Sequence, residues 1–422
     1  MSFEIISVIG LGYIGLPTAA MFASCKRKVI GVDVNQHAVD TINQGKIHIV
    51  EPDLDMMVHA AVTGGYLKAT TTPEAADAFL IAVPTPFLPC AESEIPAPDL
   101  SYIEAASKAI APVLKKGDLV ILESTSPVGA TEQMAAWLAE VRSDLTFPQT
   151  HGEQADVNVA HCPERVLPGH VVRELVENDR VIGGLTAKCS ARAVELYKTF
   201  VQGECVITNA RTAEMAKLTE NSSRDVQIAF ANELSIICDK LDINVWELIA
   251  LANRHPRVNI LQPGPGVGGH CIAVDPWFIV SKTPAEAKLI HTARQVNDSK
   301  PGWVVDKIKM AIADFLQENT DKTAKDIVIA CYGLAFKPDI DDLRESPAIA
   351  ITEYISTMHA GHLIVVEPNI KKLPAKLKHL ELMSFDSASQ YADIHVLLVD
   401  HRSFKKVKVI DGIVIDTKGI WI

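Results

Sequence analysis

I-I-S-V-I-G-L-G-Y-I-G, residues Ile5 to Gly15, decides the fold of the first part of the chain. A β-branched apolar run ends in a G-x-G-x-x-G turn, an alanine-rich helical segment follows, and a second apolar run, Val29 to Val32, ends at Asp33. The glycines permit a tight turn that brings a pyrophosphate to the N-terminus of the helix, and the acid accepts hydrogen bonds from ribose hydroxyls. A glycine turn alone is weak evidence, but this full order predicts a dinucleotide-binding unit.

The acid at the end of the second strand also indicates which dinucleotide is bound. A carboxylate would repel the 2′-phosphate of NADP, so the sequence predicts NAD. The predicted cofactor contacts in this unit are Gly10, Gly12, Tyr13, Ile14, Gly15 and Asp33.

Two further predicted strands of the same sheet end in polar turns. Ala78 to Val83 runs into P-T-P, and Leu119 to Leu122 runs into E-S-T-S-P. Ligands of open α/β sheets bind at the carboxyl ends of the strands, so the second turn is predicted to face the ligand. Alternatively, its hydroxyls cap the helix that starts near Thr131. These hydroxyls belong to Ser124, Thr125 and Ser126.

A glycine-rich loop carries the candidate nucleophile. Gln262 to Pro276 reads Q-P-G-P-G-V-G-G-H-C-I-A-V-D-P, and glycine at this density lets a backbone approach a ligand closely. Cys271 is therefore predicted to be a reachable, reactive thiol; the alternative is an inert buried cysteine. Cys162 also lies in a loop-like setting but lacks the glycines, whereas Cys238 and Cys331 sit in apolar runs and are predicted to be core.

A long helical pattern from Thr212 to about Lys240 carries one polar stripe. The stripe contains Glu214, Lys217, Asn221 and Arg224, spaced three, four and three residues apart. A buried lysine beside an asparagine supplies two donors for a developing oxyanion. The alternative is a solvated face with a Glu–Lys pair. Apolar residues on the other faces predict wide burial of the helix: Met215, Leu218, Val226, Ile228 and Phe230.

Near Asp326 a second α/β unit begins and repeats the order strand, loop, helix, strand and acid. Its first strand is predicted at Ile327 to Cys331, and the strand at Leu363 to Val366 ends at Glu367. The predicted fold class is therefore α/β, with two Rossmann-like doubly wound lobes joined by an all-α central domain. The predicted domains are 1–205, 206–300 and 301–422.

Composition limits the class of protein. The 422 residues require more than one core, and 48% apolar with 22% charged residues is ordinary for a globular protein. A net charge of −12 argues against nucleic-acid binding. Eight cysteines without a CxxC pair predict neither a metal site nor a disulfide framework. With no signal-peptide pattern and no membrane-spanning apolar run, a cytoplasmic protein is expected.

Taken together, these stretches resemble the UDP-glucose/GDP-mannose dehydrogenase family, and within it the branch that acts on 2-acetamido sugars. The matches follow the family's order along nearly the whole chain. They are V-I-G-L-G-Y-I-G-L-P (Val8–Pro17), P-T-P (Pro84–Pro86), E-S-T-S-P-V-G (Glu123–Gly129), C-P-E-R-V-L-P-G (Cys162–Gly169), A-E-M-A-K-L-T-E-N (Ala213–Asn221), P-G-P-G-V-G-G-H-C-I-A-V-D-P (Pro263–Pro276) and G-L-A-F-K-P-D-I-D-D-L-R-E-S-P (Gly333–Pro347).

The resemblance implies a four-electron, NAD-dependent oxidation of the C6 hydroxyl of a UDP-sugar to a uronate. The implied substrate is UDP-N-acetyl-D-mannosamine, used for enterobacterial common antigen or a related surface polysaccharide. In this scheme Cys271 forms a thiohemiacetal and then a thioester, and Lys217 and Asn221 are oxyanion donors. Asp275 and Glu164 match groups that handle water, and Thr125 matches a hydroxyl that holds it.

The resemblance also implies contacts to the nucleotides and a homodimer. Arg257 matches an arginine that crosses to the site of the other subunit. Thr85, Ser126 and Arg344 match cofactor contacts. The implied substrate contacts are Arg165, Val166, Lys217, Asn221, Arg224, His255, Arg257, Gly268, Phe336 and Lys337.

Two departures from the family pattern matter for the mechanism. Pro168 stands where many relatives have a second glutamate, so Glu164, Asp275 or neither activates the hydrolytic water. Arg165 replaces a phenylalanine of the family, which implies a differently shaped sugar pocket. On the residues alone, Glu164 and Arg165 can also be a mere surface ion pair.

Other functions remain to be weighed against this one. UDP-glucose and UDP-N-acetylglucosamine are alternative substrates within the family. A non-catalytic NAD-binding regulator would bind the cofactor without turnover, and a two-electron hydroxyacid-type dehydrogenase would need no cysteine.

Overall fold

The computed structural model describes residues 3–49, 51–89, 95–167, 169–269, 271–407 and 411–421. Pro168 lies outside these ranges. The first α/β lobe contains the strands β1 (Ile5–Ile9), β2 (Lys28–Val32), β3 (Leu67–Thr70), β4 (Ala78–Ile81), β5 (Leu119–Leu122), β6 (Asn158–His161), β7 (Arg180–Gly184) and β8 (Cys205–Asn209). Its α-helices are α1 (Gly15–Ser24), α2 (Gln36–Asn43), α3 (Leu54–Thr63), α4 (Ser101–Ile110), α5 (Ala130–Val141), α6 (Pro148–His151), α7 (Val171–Glu177) and α8 (Ala187–Tyr197).

The first sheet has the order β3-β2-β1-β4-β5-β6-β7-β8, in which only the β6–β7 pair is antiparallel. Its central strands are apolar on both faces, as parallel strands covered by helices must be. Along β5, Leu119 and Ile121 belong to one hydrophobic core, and Val120 and Leu122 belong to another. Strand order reverses between β1 and β4, which places a ligand crevice at the carboxyl ends of these strands.

The central segment of the chain is helical. It contains α9 (Ala210–Lys240), α10 (Val245–Ala252), α11 (Asp275–Lys282) and α12 (Lys288–Glu318). Leu218 on α9 is fully buried, but Met215 and Phe230 are exposed. The expectation of wide burial along this helix is therefore wrong for a single chain.

The second α/β lobe has one parallel sheet. Its strands are β9 (Val328–Tyr332), β10 (His362–Val366), β11 (Glu381–Leu382), β12 (Ile394–Leu397) and β13 (Ile413–Asp416), and its helices are α13 (Pro347–Met358) and α14 (Phe385–Tyr391). The sheet order is β11-β10-β9-β12-β13, so both neighbours of β9 follow it in the chain, as in the first lobe around β1. The predicted fold class, two Rossmann-like lobes joined by helices, is confirmed.

Packing divides the chain into two compact units. One comprises Met1–Glu220 with Trp277–Thr283, and the other comprises Asn221–Pro276 with Pro284–Ile422. The division into three domains at residues 205 and 300 stays a prediction. Within the described ranges, no helix is long and apolar enough to cross a bilayer, and no group of three or more His, Cys, Asp or Glu side chains is placed to hold a metal ion.

Candidate active site

The glycine turn between β1 and α1 fits a dinucleotide. Gly10 has a φ of +90°, and a Cβ atom there would lie 2.5 Å from the carbonyl oxygen of Ala82. A Cβ atom at Gly15 would lie 1.8 Å from the carbonyl oxygen of Gly10, so only glycine allows helix and turn to pack this closely. At Gly12 a Cβ atom would meet nothing within 4 Å. The second glycine thus faces open space, where a pyrophosphate would approach the helix N-terminus.

Asp33 completes this site at the end of β2. Its Oδ2 atom accepts a hydrogen bond of 2.8 Å from the amide of Leu11, within the glycine turn, and its Oδ1 atom accepts one of 2.9 Å from Asn35. A carboxylate has about four acceptor positions, so room remains for ribose hydroxyls. Tyr13 is exposed and Ile14 is half-buried beside the same turn. The residues present fit NAD.

The two polar turns at the strand ends are joined by hydrogen bonds. Thr85 Oγ1 donates to the carbonyl oxygen of Thr125 at 2.6 Å, and Ser124 Oγ donates to that of Val83 at 2.7 Å. The hydroxyl of Ser126 is buried and has no hydrogen-bond partner among the described residues. A buried hydroxyl usually makes at least one hydrogen bond, and a bound ligand would supply the partner here.

Glu214 holds the start of α5. Its Oε2 atom accepts from the amide of Gly129 at 2.7 Å, and its Oε1 atom accepts from the amide and the hydroxyl of Thr131 at 2.8 and 2.6 Å. The carboxylate therefore satisfies amides that a helix N-terminus leaves unpaired. The alternative of a solvated Glu–Lys pair on α9 is wrong, because Glu214 is buried. The alternative that the hydroxyls of the turn after β5 cap α5 is also wrong, since the N-cap residue is Gly129.

We expect Glu214→Gln to lower the free energy of unfolding by about 1–3 kcal/mol, because an amide cannot accept at both former carboxylate oxygens. Urea unfolding followed by circular dichroism measures the change. Glu132→Gln is the matched control on α5: its side chain forms an exposed ion pair with Arg211, and such pairs contribute little. Equal unfolding midpoints for both variants would contradict the proposed importance of Glu214.

A cavity of about 500 Å³ lies beside the start of α9. Three predicted substrate residues line it together: Arg165, Val166 and Lys217. Arg165 is fixed there by Glu220, with Nη2 to Oε1 at 2.6 Å and Nε to Oε2 at 3.1 Å. Two cations, three carboxylates and an amide line this cavity, so it suits a polar ligand with many hydrogen-bonding groups, such as a sugar.

Glu164, the chain neighbour of the cavity residue Arg165, lies in a buried ion pair. Its Oε2 atom accepts from Nη1 of Arg180 at 2.8 Å, and its Oε1 atom accepts from the amide of Arg165 at 2.7 Å. The alternative of a surface ion pair between Glu164 and Arg165 is therefore wrong. These two hydrogen bonds hold the carboxylate of Glu164 in one orientation, and a general base must be positioned before it can act.

The rival thiol, Cys162, is fully buried. Its backbone amide donates to Leu122 and continues the pairing of β5 with β6 beyond the strand end. Burial raises the pKa of Cys162 to about 12. A thiol in this state is not nucleophilic at neutral pH. Cys238 and Cys331 are buried as predicted.

Cys271, in contrast, is exposed, at the start of the turn that leads into α11. Its carbonyl oxygen accepts from the amide of Asp275 at 2.8 Å. The preceding glycines pack against the loop after β9. A Cβ atom at Gly268 would lie 2.5 Å from the carbonyl oxygen of Glu345, and one at Gly269 would lie 3.0 Å from the ring of Phe336. Glycine is needed there because the two loops touch through their backbones.

Asn221 and Asp275 are brought together. The amide nitrogen of Asn221 donates to Oδ2 of Asp275 at 2.5 Å. This bond fixes which way the amide group of Asn221 points. Lys217 lies one helical turn before Asn221 on α9, as the predicted stripe required.

The predicted nucleotide contacts of the second lobe lie in the loop after β9. Phe336 is half-buried, and the ammonium of Lys337 lies 5.5 Å from its ring centroid. Arg344 makes a bidentate ion pair with Asp342, with Nη2 to Oδ2 at 2.6 Å. To contact a cofactor, Arg344 must therefore share or leave this carboxylate.

The buried pair of Glu367 and His401 fixes the backbone of the first half of this loop. Glu367 Oε2 accepts from the amides of Leu334 and Ala335 at 2.7 and 3.1 Å and from Nε2 of His401 at 3.0 Å. His401 Nδ1 accepts from the amide of Asp339 at 2.9 Å. Burial alone would raise the pKa of Glu367, but the hydrogen bonds from His401 and the backbone more than offset it and lower the pKa. The segment 334–339, which carries Phe336, is thus fastened at both ends.

Three predicted substrate residues lie on the exposed surface: Arg224, His255 and Arg257. The amide of Arg257 donates to Nδ1 of His255 at 3.3 Å.

Several supporting residues were missed from the sequence. These are Glu214 as a helix cap, Glu220 as the partner of Arg165, Arg180 as the partner of Glu164, and the pair of Glu367 with His401. Glu214 and Glu220 stand in the quoted A-E-M-A-K-L-T-E-N motif, so the signal was present but their partners were not visible in it. Glu367 was recognised only as the acid that ends a strand.

Comparison with known proteins covers the whole chain. Models of the UDP-glucose/GDP-mannose dehydrogenase family match as its NAD-binding domain at residues 4–201, its central domain at 211–299 and its UDP-binding domain at 330–422.

Individual relatives agree with the family models. A UDP-N-acetyl-D-mannosamine dehydrogenase of Yersinia pestis is 68% identical over the full length of both chains. An NDP-N-acetyl-D-galactosaminuronic acid dehydrogenase of Ralstonia solanacearum is 65% identical over all of this chain and 97% of its own. The solved structure of a UDP-D-ManNAc dehydrogenase from Pyrococcus horikoshii matches with a TM-score of 0.85 at 38% identity, covering 99% of this chain and 96% of that one.

Proposed function

Because the chain belongs to the UDP-glucose/GDP-mannose dehydrogenase family, we propose that it oxidises the C6 hydroxyl of UDP-N-acetyl-D-mannosamine to the uronate with two NAD. The observation that carries this proposal is the contrast between the two candidate thiols. Cys271 is exposed on a glycine-rich loop, whereas Cys162 is buried and protonated. A reachable thiol can hold the aldehyde as a thiohemiacetal for a second oxidation, whereas a two-electron oxidation has no use for such a nucleophile.

The cofactor would be held by the first lobe. The glycine turn of Gly10, Gly12 and Gly15 would receive the pyrophosphate, and Asp33 would receive the ribose hydroxyls. Thr85, Ser126 and Arg344 are further proposed contacts. NAD, when bound, supplies the hydride acceptor for both oxidations.

The side chains of this protein would act on the substrate carbon in the following order. The first oxidation removes a hydride and a proton from the C6 alcohol and leaves an aldehyde. The Cys271 thiolate adds to the aldehyde, and Lys217 and Asn221 donate hydrogen bonds to the resulting oxyanion. The second oxidation removes a hydride from this oxyanion and leaves a thioester. Asp275, which accepts from Asn221, would hold that amide in the donating orientation.

Hydrolysis of the thioester requires a base. We assign it to Glu164, whose carboxylate is held in one orientation by the side chain of Arg180 and the amide of Arg165. Glu164 would take a proton from the water while Thr125 orients that water. The bond between sulfur and carbon then breaks, the uronate is released, and the Cys271 thiol is restored.

For the sugar, the proposal rests on the relatives and on Arg165. The relatives are named for N-acetyl-D-mannosamine and for N-acetyl-D-galactosaminuronic acid, which both carry an acetamido group. Arg165, fixed by Glu220 in the cavity with Lys217, differs from the phenylalanine typical of the family. We propose that this polar wall accommodates the acetamido group.

The test is the yield of NADH per mole of sugar nucleotide. We expect two NADH from UDP-N-acetyl-D-mannosamine and far slower turnover of UDP-N-acetylglucosamine, UDP-N-acetylgalactosamine and UDP-glucose. Two NADH from a different sugar would keep the mechanism and overturn the substrate. One NADH with release of an aldehyde would overturn the covalent mechanism, and cofactor binding without turnover on any sugar would indicate a regulator.

We propose that the second lobe holds the uridine nucleotide through Phe336 and Lys337, with Gly268 contacting the substrate through its backbone.

We expect His401→Phe to raise the KM for the UDP-sugar by about tenfold while the KM for NAD stays constant, because loss of the His401 hydrogen bonds loosens segment 334–339. Initial rates with each substrate varied in turn measure this. His362→Gln is the control, since His362 is an exposed histidine of the same lobe. Equal effects on both KM values would contradict the assignment.

A homodimer is part of the proposal. Met215, Phe230 and Ile237 expose large apolar side chains on α9, and Leu241 and Ile243 follow at its end. Exposed apolar residues gathered on one element are typical of protein interfaces. Arg224, His255 and Arg257 would then contact the substrate in the dimer, with Arg257 reaching the site of the partner subunit.

Mixing two inactive variants tests whether Arg257 crosses. We expect dimers of Arg257→Ala and of Cys271→Ser each to be inactive, and hybrids of the two to regain activity. In a hybrid, the chain that keeps Cys271 receives an intact Arg257 from its partner. If Arg257 serves its own chain, no site in the hybrid is complete and no activity returns.

We also place the enzyme in the cytoplasm, in synthesis of a surface polysaccharide. All cysteines in the described part of the chain are unbridged, as is typical of a reducing compartment. Extracts of cells that lack the gene should lose the uronate sugar from their surface polysaccharide if this role is correct.

A further inference from the structure

Glu164 belongs to a buried polar cluster, of which Tyr197 and Glu123 have no part in the proposed steps. Arg180, on β7, donates to Glu164, and its guanidinium carbon lies 4.9 Å from the ring centroid of Tyr197. The hydroxyl of Tyr197, on α8, donates to Oε1 of Glu123 at 2.6 Å. Glu123 directly follows β5 and precedes Thr125 by two residues. The cluster thus connects the proposed base with the turn proposed to hold its water.

The cluster contains one cation and two carboxylates. Arg180 carries the positive charge, because its side chain is always protonated in proteins. Burial raises the pKa of Cys162 to about 12 and raises that of Tyr197, so both stay neutral. His161, on the neighbouring strand β6, is neutral because burial lowers its pKa to about 3. One carboxylate is therefore in excess of the positive charge, in a region with almost no access to water.

The two carboxylates are not equivalent. Glu164 has both an ion pair with Arg180 and a hydrogen bond from a backbone amide. Glu123 has only the hydroxyl of Tyr197, and its Oε2 atom has no hydrogen-bond partner among the described residues. Burial raises the pKa of Glu123 to about 7, although the nearby Arg180 opposes the rise. Glu123 is thus the member that gains or loses a proton near neutral pH.

We propose that Arg180 and Glu123 are positioning residues that set how strongly Glu164 can accept a proton from the hydrolytic water. Arg180 holds the carboxylate of Glu164 in one orientation and places a positive charge beside it. Glu123 competes for the same guanidinium once it has lost its own proton. This inference rests on the proposed function, because it assumes that Glu164 is the base.

The direction of the effect follows from the charges. When Glu123 is protonated, Arg180 acts on Glu164 alone and makes it a weak base. When Glu123 ionises, its negative charge offsets that of Arg180, and Glu164 becomes a stronger base. Hydrolysis of the thioester should therefore speed up by about three- to tenfold as the pH rises through the titration of Glu123.

The experiment follows the decay of the Cys271 thioester in single turnovers, quenched in acid and measured by intact mass, across a pH range that brackets 7. The wild-type enzyme should show the rise, and Glu123→Gln, which cannot ionise, should lack it. Tyr197→Phe removes the hydrogen bond that favours ionised Glu123, so its rise should move to higher pH. Glu132→Gln, on the surface, is the control and should match the wild type.

These outcomes separate the inference from the function on which it rests. If the wild-type enzyme yields two NADH but its pH profile coincides with those of Glu123→Gln and Tyr197→Phe, the positioning role is wrong and the function stands. If Glu123→Gln does not fold, Tyr197→Phe decides alone, since an unshifted profile overturns the inference. If the wild-type enzyme forms no thioester, both are overturned.

Discussion

Cys271→Ser should lower the steady-state rate of uronate formation by at least about 10³-fold, because serine is a far weaker nucleophile toward an aldehyde at neutral pH. NADH formation and uronate release are measured together, so that a first oxidation without completion is visible. Binding of NAD and of UDP should be unchanged, since the substitution exchanges one atom on an exposed side chain.

Two other cysteines serve as controls for this variant. Cys205→Ser changes a half-buried thiol at the start of β8 and should leave the rate unchanged. Cys162→Ala tests the rival nucleophile and should retain activity, because that thiol is buried with a pKa of about 12. Brief treatment with iodoacetamide, followed by peptide mass analysis, should label Cys271 ahead of Cys162. Wild-type rates in Cys271→Ser would contradict the covalent mechanism.

Lys217→Met should reduce kcat by about 10²- to 10³-fold, the usual effect of removing one oxyanion donor. Methionine has nearly the same length, so the cavity beside the start of α9 keeps its shape while it loses a charge. Arg165 cannot substitute, because Glu220 holds its guanidinium. The KM for the UDP-sugar should change much less than kcat, because the donor acts on charge that develops during the reaction.

Lys240→Met is the matched control, since Lys240 lies at the exposed end of the same helix. Steady-state rates for both variants, measured with saturating NAD, decide the point. A Lys217→Met enzyme within about threefold of the wild type would exclude Lys217 from oxyanion stabilisation.

How far the sequence predicted the site depends on the separation of the interacting residues. The hydrogen bond between Asp33 and the glycine turn spans 22 residues inside one strand–helix–strand unit with a recognisable spacing. The stripe of Lys217 and Asn221 follows from helix geometry alone. Such local patterns state the geometry directly, and the predicted fold class and NAD site rest on them.

Contacts between residues that are far apart in the chain leave no such pattern in the sequence. Glu214 meets Gly129 over 85 residues, and Arg165 meets Glu220 over 55 residues. Charged residues on a helix are usually solvated. The sequence therefore indicated either a solvated stripe or a catalytic stripe, and nothing in it indicated that Glu214 caps another helix. The state of Cys162 was ambiguous for a related reason. Its loop-like setting does not reveal that pairing with β5 continues past the strand end.

The hydrogen bonds that Glu367 already accepts in the second lobe have a consequence for enzyme kinetics. Asp33 and Glu367 end equivalent strands, yet Glu367 already accepts hydrogen bonds from Leu334, Ala335 and His401 and, through its Oε1 atom, from Asn369. A carboxylate has about four acceptor positions, and these donors occupy them. An adenosine ribose would find no free acceptor there, so we expect NAD to compete poorly for this lobe. An excess of NAD over UDP-sugar should therefore not inhibit the enzyme.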